Sequence, residues 1–147
     1  MWKNILLLAL LITISSCGSK KTAVKSSKDS REVVLGKSEA VSYKSLGNGV
    51  ASISLQLFEN NTFKFDFKSI PQPDTDDKTI SISEKGTYTS DGNWKTLNFK
   101  KPKFSLAAIF DANYSGAADF KVIDEEHVKI NTAKNALPIW GVVCQKQ

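Results

Sequence analysis

From Glu32 onward the chain alternates apolar with polar residues, the period of half-buried strands. Ala51, Ile53, Leu55 and Leu57 share one face of residues 51–57, and Phe63, Phe65 and Phe67 share one face of 62–68. Glu59-Asn60-Asn61 between them predicts a tight turn, because Asn tolerates the left-handed backbone that hairpins need. Ser69 falls where an apolar residue is due, and Pro71 to Asp77 is a polar, acidic loop. Alternation resumes with Ile80, Ile82, Gly86 and Tyr88. Ser90-Asp91-Gly92-Asn93 makes a second turn, with Gly92 free to take positive φ. Lys95, Leu97 and Phe99 form the next strand, which Lys100-Lys101-Pro102 stops. In Phe104 to Tyr114 the spacing of Leu106, Ile109 and Phe110 fits a short helix, and a strand broken at Asp111-Ala112-Asn113 fits as well. Phe120 and Val122, a turn at Asp124-Glu125-Glu126, then Val128 and Ile130 read as another hairpin. Thr132 to Pro138 reads as loop and Ile139 to Gln145 as a last strand. Val33, Leu35 and Val41 mark a first strand interrupted near Gly36.

Such a series of short strands predicts an all-β fold: an antiparallel up-and-down, lipocalin-like barrel of about eight strands with at most one short helix. Closure removes the two exposed edges of a meander. At this strand number the interior holds side chains or one small ligand. The outward positions are Ser, Lys, Asp, Thr and Gln, so lipid does not surround the barrel.

The N-terminus breaks the alternation. Lys3 precedes an uncharged run from Ile5 to Ile14, which is about half the length needed to span a bilayer. A positive start, a short apolar run and then Ser15 and Ser16 have the layout of a secretory signal. Ile14-Ser15-Ser16-Cys17 resembles the bacterial lipobox, which implies cleavage before Cys17 and diacylation of its thiol. The expected division is therefore a lipoprotein signal peptide (1–16), an acylated Cys and a Lys/Ser-rich tether (17–31), and a barrel domain (32–147). Gly18 rather than Asp follows the Cys, so the inner-membrane retention signal is missing. The expected location is the periplasmic face of an outer membrane, with the bilayer as partner through acylated Cys17.

Composition narrows the function. The net charge is +5, but setting aside Lys3, Lys20, Lys21, Lys25, Lys28, Arg31 and Asp29 leaves 14 basic against 14 acidic residues. A near-neutral body disfavours nucleic acid, which calls for a clustered basic face.

The strings LQLFENNTFKFDF and EKGTYTSDGNWKTLNF, spanning Leu55 to Phe99, resemble the middle of small lipocalin-like bacterial lipoproteins. Among these is the N-terminal barrel of the NlpE copper-resistance and envelope-stress family. The resemblance implies the barrel and the envelope compartment. That family's Cys-x-x-Cys pair is absent, so copper handling and thiol-based sensing are not carried over. The Gly-x-Trp of lipocalin first strands is absent too.

Chemistry-bearing groups are sparse. His127 is the only histidine and lies on the outward phase of its strand. Asp74, Asp76 and Asp77 suit a hard cation, but the bend Gly and bidentate Glu of a dedicated loop are missing. Cys144, in phase with Trp140 and Val142, reads as a packed small hydrophobe. An Asp/Glu pair such as Asp66 with Glu84 is the kind of carboxylate pair hydrolysis would use. No catalytic residue, metal or cofactor is expected. The inward aromatics Phe63, Phe65, Phe67, Tyr88 and Phe99, with Leu97, fill a core or line a pocket for an apolar molecule. The expected function is a non-catalytic envelope module that binds another molecule, possible classes being an envelope protein or a small apolar ligand. The alternative is a lipocalin-like carrier.

Overall fold

A computed structural model of the chain describes residues 39–47 and 49–147. The signal segment, Cys17, the tether, Val33, Leu35 and Gly36 lie outside the described residues. The fold is all-β: nine antiparallel strands form a nearly closed barrel with one short α-helix. The strands are β1 (Glu39–Ser45), β2 (Ala51–Phe58), β3 (Thr62–Ser69), β4 (Ser81–Asp91), β5 (Trp94–Asn98), β6 (Phe120–Val122), β7 (His127–Asn131), β8 (Ala136–Ile139) and β9 (Val142–Lys146). Helix α1 is Leu106–Ile109, and a 3₁₀ turn follows at Ala112–Tyr114. The ambiguous stretch is thus helical, capped by the Ser105 hydroxyl accepting from the Ala108 N–H.

The ladder runs β6-β7-β5-β4-β3-β2-β1-β9-β8. Strands β1 to β5 are a meander. Beyond them β7 rather than β6 pairs with β5, and β9 pairs with β1, so β6 and β8 are the two ends of the sheet. Edge strand β8 carries Pro138, whose missing N–H is tolerated only at an edge. Residues 109–119 link the two edges: Trp140 N–H donates to Ile109 C=O at 2.7 Å, and Lys134 pairs with Asp119 at 3.0 Å.

Two expectations are corrected in the last third. Residues 132–145 are not a loop and one strand but a hairpin, β8 and β9, turned at Trp140-Gly141. Both turn residues have positive φ (51° and 68°), as a two-residue turn of this kind requires. A bulky Trp in that conformation is unusual, which is why the turn does not read as one. Within the described residues β1 runs from Glu39, and its buried aromatic is Tyr43, whose hydroxyl donates to Lys134 C=O at 2.8 Å.

The predicted inner faces hold. Ile53, Leu55, Leu57, Phe63, Phe65, Phe67, Leu97 and Phe99 are all buried. Gly86 is required by close packing: a β-carbon there would run into the Asn98 carbonyl oxygen and lie 2.6 Å from Phe63 Cε1. Antiparallel order gives the barrel two ends. The hairpin end carries the β2–β3 turn, the β4–β5 turn, the β7–β8 connection and Glu39. The loop end carries the β1–β2, β3–β4, β6–β7 and β8–β9 connections together with α1.

Candidate functional site

The interior is filled by rings. Phe63 and Phe99 meet edge-on at 4.7 Å, Phe65 and Phe99 at 6.0 Å, and Phe67 meets Trp140 at 5.0 Å. Phe110 adds a third layer against Phe65 (5.8 Å) and Phe120 (5.6 Å). Tyr88 sits near the hairpin end, its hydroxyl donating to Phe58 C=O at 2.7 Å; burial, then the Glu59 charge, pushes its pKa up. The structure therefore brings Phe63, Phe65, Phe67, Tyr88, Leu97 and Phe99 together as neighbours in one core.

The recess that stands out lies outside this core. It is a cleft of about 520 Å³ at the loop end, within the size range of small-molecule sites, between the segment after β5 and the β6–β7 turn. Pro102, Phe104, Leu106 and Val122 give it an apolar floor; Asp124, Glu125, Glu126 and Lys101 give it a polar rim. Phe104 joins floor to core, stacking on Phe65 at 6.1 Å and meeting Phe99 edge-on at 5.7 Å.

Backbone chemistry fixes both walls. Lys100 and Lys101 take positive φ in succession (47° and 60°), which turns the chain sharply after Phe99. Non-glycine residues hold such a conformation only when their surroundings secure it. Here the Lys100 N–H donates to Asn98 Oδ1 at 3.0 Å and the Lys101 N–H to Glu126 Oε1 at 3.1 Å. Opposite, Asp124 Oδ1 accepts from the Glu126 and His127 N–H groups, both at 2.8 Å. His127 Nδ1 lies 2.8 Å from the same oxygen. The Glu126 N–H foremost, then the His127 ring, hold the Asp124 carboxyl below the usual range.

The other candidates separate. Asp66 and Glu84 do not meet. Asp66 is paired with Ser83 and Glu84 with Phe65, so the two carboxylates leave opposite faces of the sheet. Asp66 is held outside by Lys64 at 2.7 Å and the Ser83 hydroxyl at 2.7 Å. Asp74, Asp76 and Asp77 lie on the exposed β3–β4 loop. Among the described residues, no group of three or more His, Cys, Asp or Glu is placed to hold a metal ion. Cys144 is fully buried, and burial pushes its thiol up to about 12, so it is un-ionised and unreactive at neutral pH.

Surface apolar residues are distributed unevenly. Leu46 and Val50 lie in the β1–β2 connection, Ile70 and Ile80 in the β3–β4 loop, and Ile123 in the β6–β7 turn. Val143 is the second residue of β9, and the ring of Tyr114 lies over Gly141 in the β8–β9 turn. All these exposed side chains belong to the loop end. Sequence reasoning missed both the cleft and this asymmetry. Its signals were Leu46, Val50, Ile70 and Ile123, which alternation assigns to no strand; Ile80, expected on a strand's inner face, instead precedes β4 and is exposed. Comparison with known protein families, curated proteins and solved structures finds no match to this chain.

Proposed function

We propose that the protein is a non-catalytic, lipid-anchored lipoprotein of the bacterial envelope that acts as a binding module, with a role in envelope stress or homeostasis. The anchor is Cys17, acylated after removal of residues 1–16, and the site of action is the periplasmic face of the outer membrane. The resemblance of Leu55 to Phe99 to the NlpE-type barrel supports the same compartment. The observation that carries the binding reading is the cleft. A barrel filled by its own rings leaves this amphipathic recess on the outside, where apolar floor and charged rim face a partner together. The rival reading, a carrier enclosing a small apolar ligand among Phe63, Phe65, Phe67, Tyr88, Leu97 and Phe99, has less support, because those side chains occupy the space themselves.

Fractionation of a bacterial host with two membranes tests the anchor. The natural chain is expected in the outer-membrane fraction and a Cys17→Ser chain is expected to lose its acylated, processed form. Equal processing and equal distribution of both would remove the anchor. For the module, Phe104→Ser is expected to abolish binding to an envelope partner captured by crosslinking while the barrel's melting remains cooperative. Unchanged capture would remove the cleft as the binding face.

A further inference from the structure

We propose that the side of the loop end built from the β1–β2, β3–β4 and β8–β9 connections docks on an uncharged bilayer surface, with the cleft rim at the β6–β7 turn staying clear, so that the module works against the membrane that anchors it. This rests on the anchor reading above. Leu46, 70% exposed, and Ile80, 56% exposed, are joined by Val50 and Ile70 into one patch. The Ile70 N–H donates to Val50 C=O at 2.8 Å, and the Ser69 N–H to Ile80 C=O at 2.9 Å, so two separate connections are tied side by side. The β1–β9 ladder ends with Ser45 opposite Cys144, which brings Leu46 and Val143 out at the end of the same pair of strands.

The arrangement selects the occupant. Aliphatic side chains spread over the β1–β2 and β3–β4 connections and the beginning of β9 do not form a groove for one strand or one helix; they meet a plane. Tyr114 adds a ring with a polar tip, the side-chain type that settles at membrane interfaces. The charges around the patch lean acidic, with Lys78, Lys100, Lys101 and Lys103 against Asp74, Asp76, Asp77, Asp124, Glu125 and Glu126, so they offer no basic face to anionic headgroups. Apolar insertion therefore drives docking and anionic lipid adds little. The opposite end is polar, with Asn60, Asn61, Gly92 and Asn93 in its turns.

The chain outside the structure permits this pose. Glu39 leaves the hairpin end, so the barrel has to turn over relative to its attachment. Residues 18–38 extend to at most about 70 Å, against about 26 Å for the length of an eight-residue strand such as β2. The leash is long enough.

The test is hydrogen exchange of the full acylated protein in phosphatidylcholine vesicles, compared with a Leu46→Ser/Ile80→Ser double variant in the same vesicles. Both positions are exposed, so the barrel still forms. Expected is exchange slowed roughly tenfold at residues 46–50, 69–81 and 140–143, none of it at 59–61 and 92–93, and loss of the slowing in the variant. The slowing should persist in high salt. Equal exchange at both ends, protection abolished by salt, or protection in native envelopes but not on pure lipid (a protein partner) would each overturn the proposal. If intact mass shows Cys17 unacylated, the anchor reading fails separately. Docking is then read from flotation of that same chain with vesicles, where roughly tenfold weaker flotation of the variant supports it and equal flotation overturns it.

Discussion

The two ends of this barrel are finished by opposite means. At the hairpin end, short polar turns reverse the chain, with Asn61 and Gly92 at positive φ. Side-chain to backbone bonds tie neighbouring strands there: Tyr88 to Phe58, Thr132 to Asn93, Tyr43 to Lys134. At the loop end only the β3–β4 loop and the segment carrying α1 are long, and closure comes from rings delivered from distant parts of the chain, Phe104, Phe110 and Trp140. Local backbone rules suffice to turn a strand. Stopping the mouth of a barrel takes side chains that meet only once the fold exists, and that end is left with an amphipathic cleft and exposed aliphatics. The end finished by packing is thus the end with surface to spare for a partner.

The strongest way to break the contrast is to damage the wall that both ends share. Gly86→Ala is expected to prevent folding or to cost more than about 4 kcal/mol, read as soluble yield and urea midpoint. Near-normal stability would mean that β4 and β5 separate more easily than the Asn98 contact implies. Next comes the plug. Phe110→Ala, emptying a fully buried site, should cost about 3 to 4 kcal/mol, and Phe104→Ala, at the half-buried cleft floor, about 1 to 2. Equal losses would erase the distinction between core and cleft.

Alkaline pH probes the closing hairpin. Cys144 is raised from 9.0 to about 12 by burial, and Tyr43 from 10.0 to about 12. Between those values the unfolded chain has lost protons that the folded one keeps, so stability falls as pH rises. From about pH 9 to 12, each group contributes a slope approaching 1.4 kcal/mol per unit once its unfolded form is ionised. Cys144→Ala should reduce the slope most between pH 9 and 10, before the unfolded tyrosines are largely ionised; an unchanged slope in chemical denaturation would place the drive elsewhere.

Smaller effects sharpen the picture. Trp140→Asn relieves a bulky residue at φ 51° but loses the Phe67 contact, and the packing loss should prevail by about 1 kcal/mol. A stabilised variant would show that backbone strain outweighs the ring contact. At the hairpin end, Asn61→Gly should change stability by less than about 0.5 kcal/mol, because the turn asks only for positive φ. A loss above about 1 kcal/mol would show that the Asn61 side chain does more than permit the turn.

What the sequence made legible follows the same division. Period-two runs at Ala51–Leu57 and Thr62–Phe67 announce their strands, because burial of one face is a local pattern. Asn61 and Gly92 announce their turns, because positive φ favours these residue types. Trp140 in a left-handed turn contradicts its local preference and is held by Phe67 and the Ile109 carbonyl, far away in sequence. The pairing of β5 with β7 in place of β6 leaves no local mark, since register is set by the whole barrel. The cleft was unreadable for the same reason: Phe104 and Val122 become its floor only when α1 folds back toward the β6–β7 turn.

The central claim is a lipid-held barrel filled by its own side chains. Mass spectrometry of the protein purified gently from envelopes, under native and then denaturing conditions, tests it most directly. The account predicts a chain starting at Cys17 with covalent acyl groups and no apolar passenger released on unfolding. An unacylated chain, or a stoichiometric small molecule freed only when the barrel opens, would contradict it.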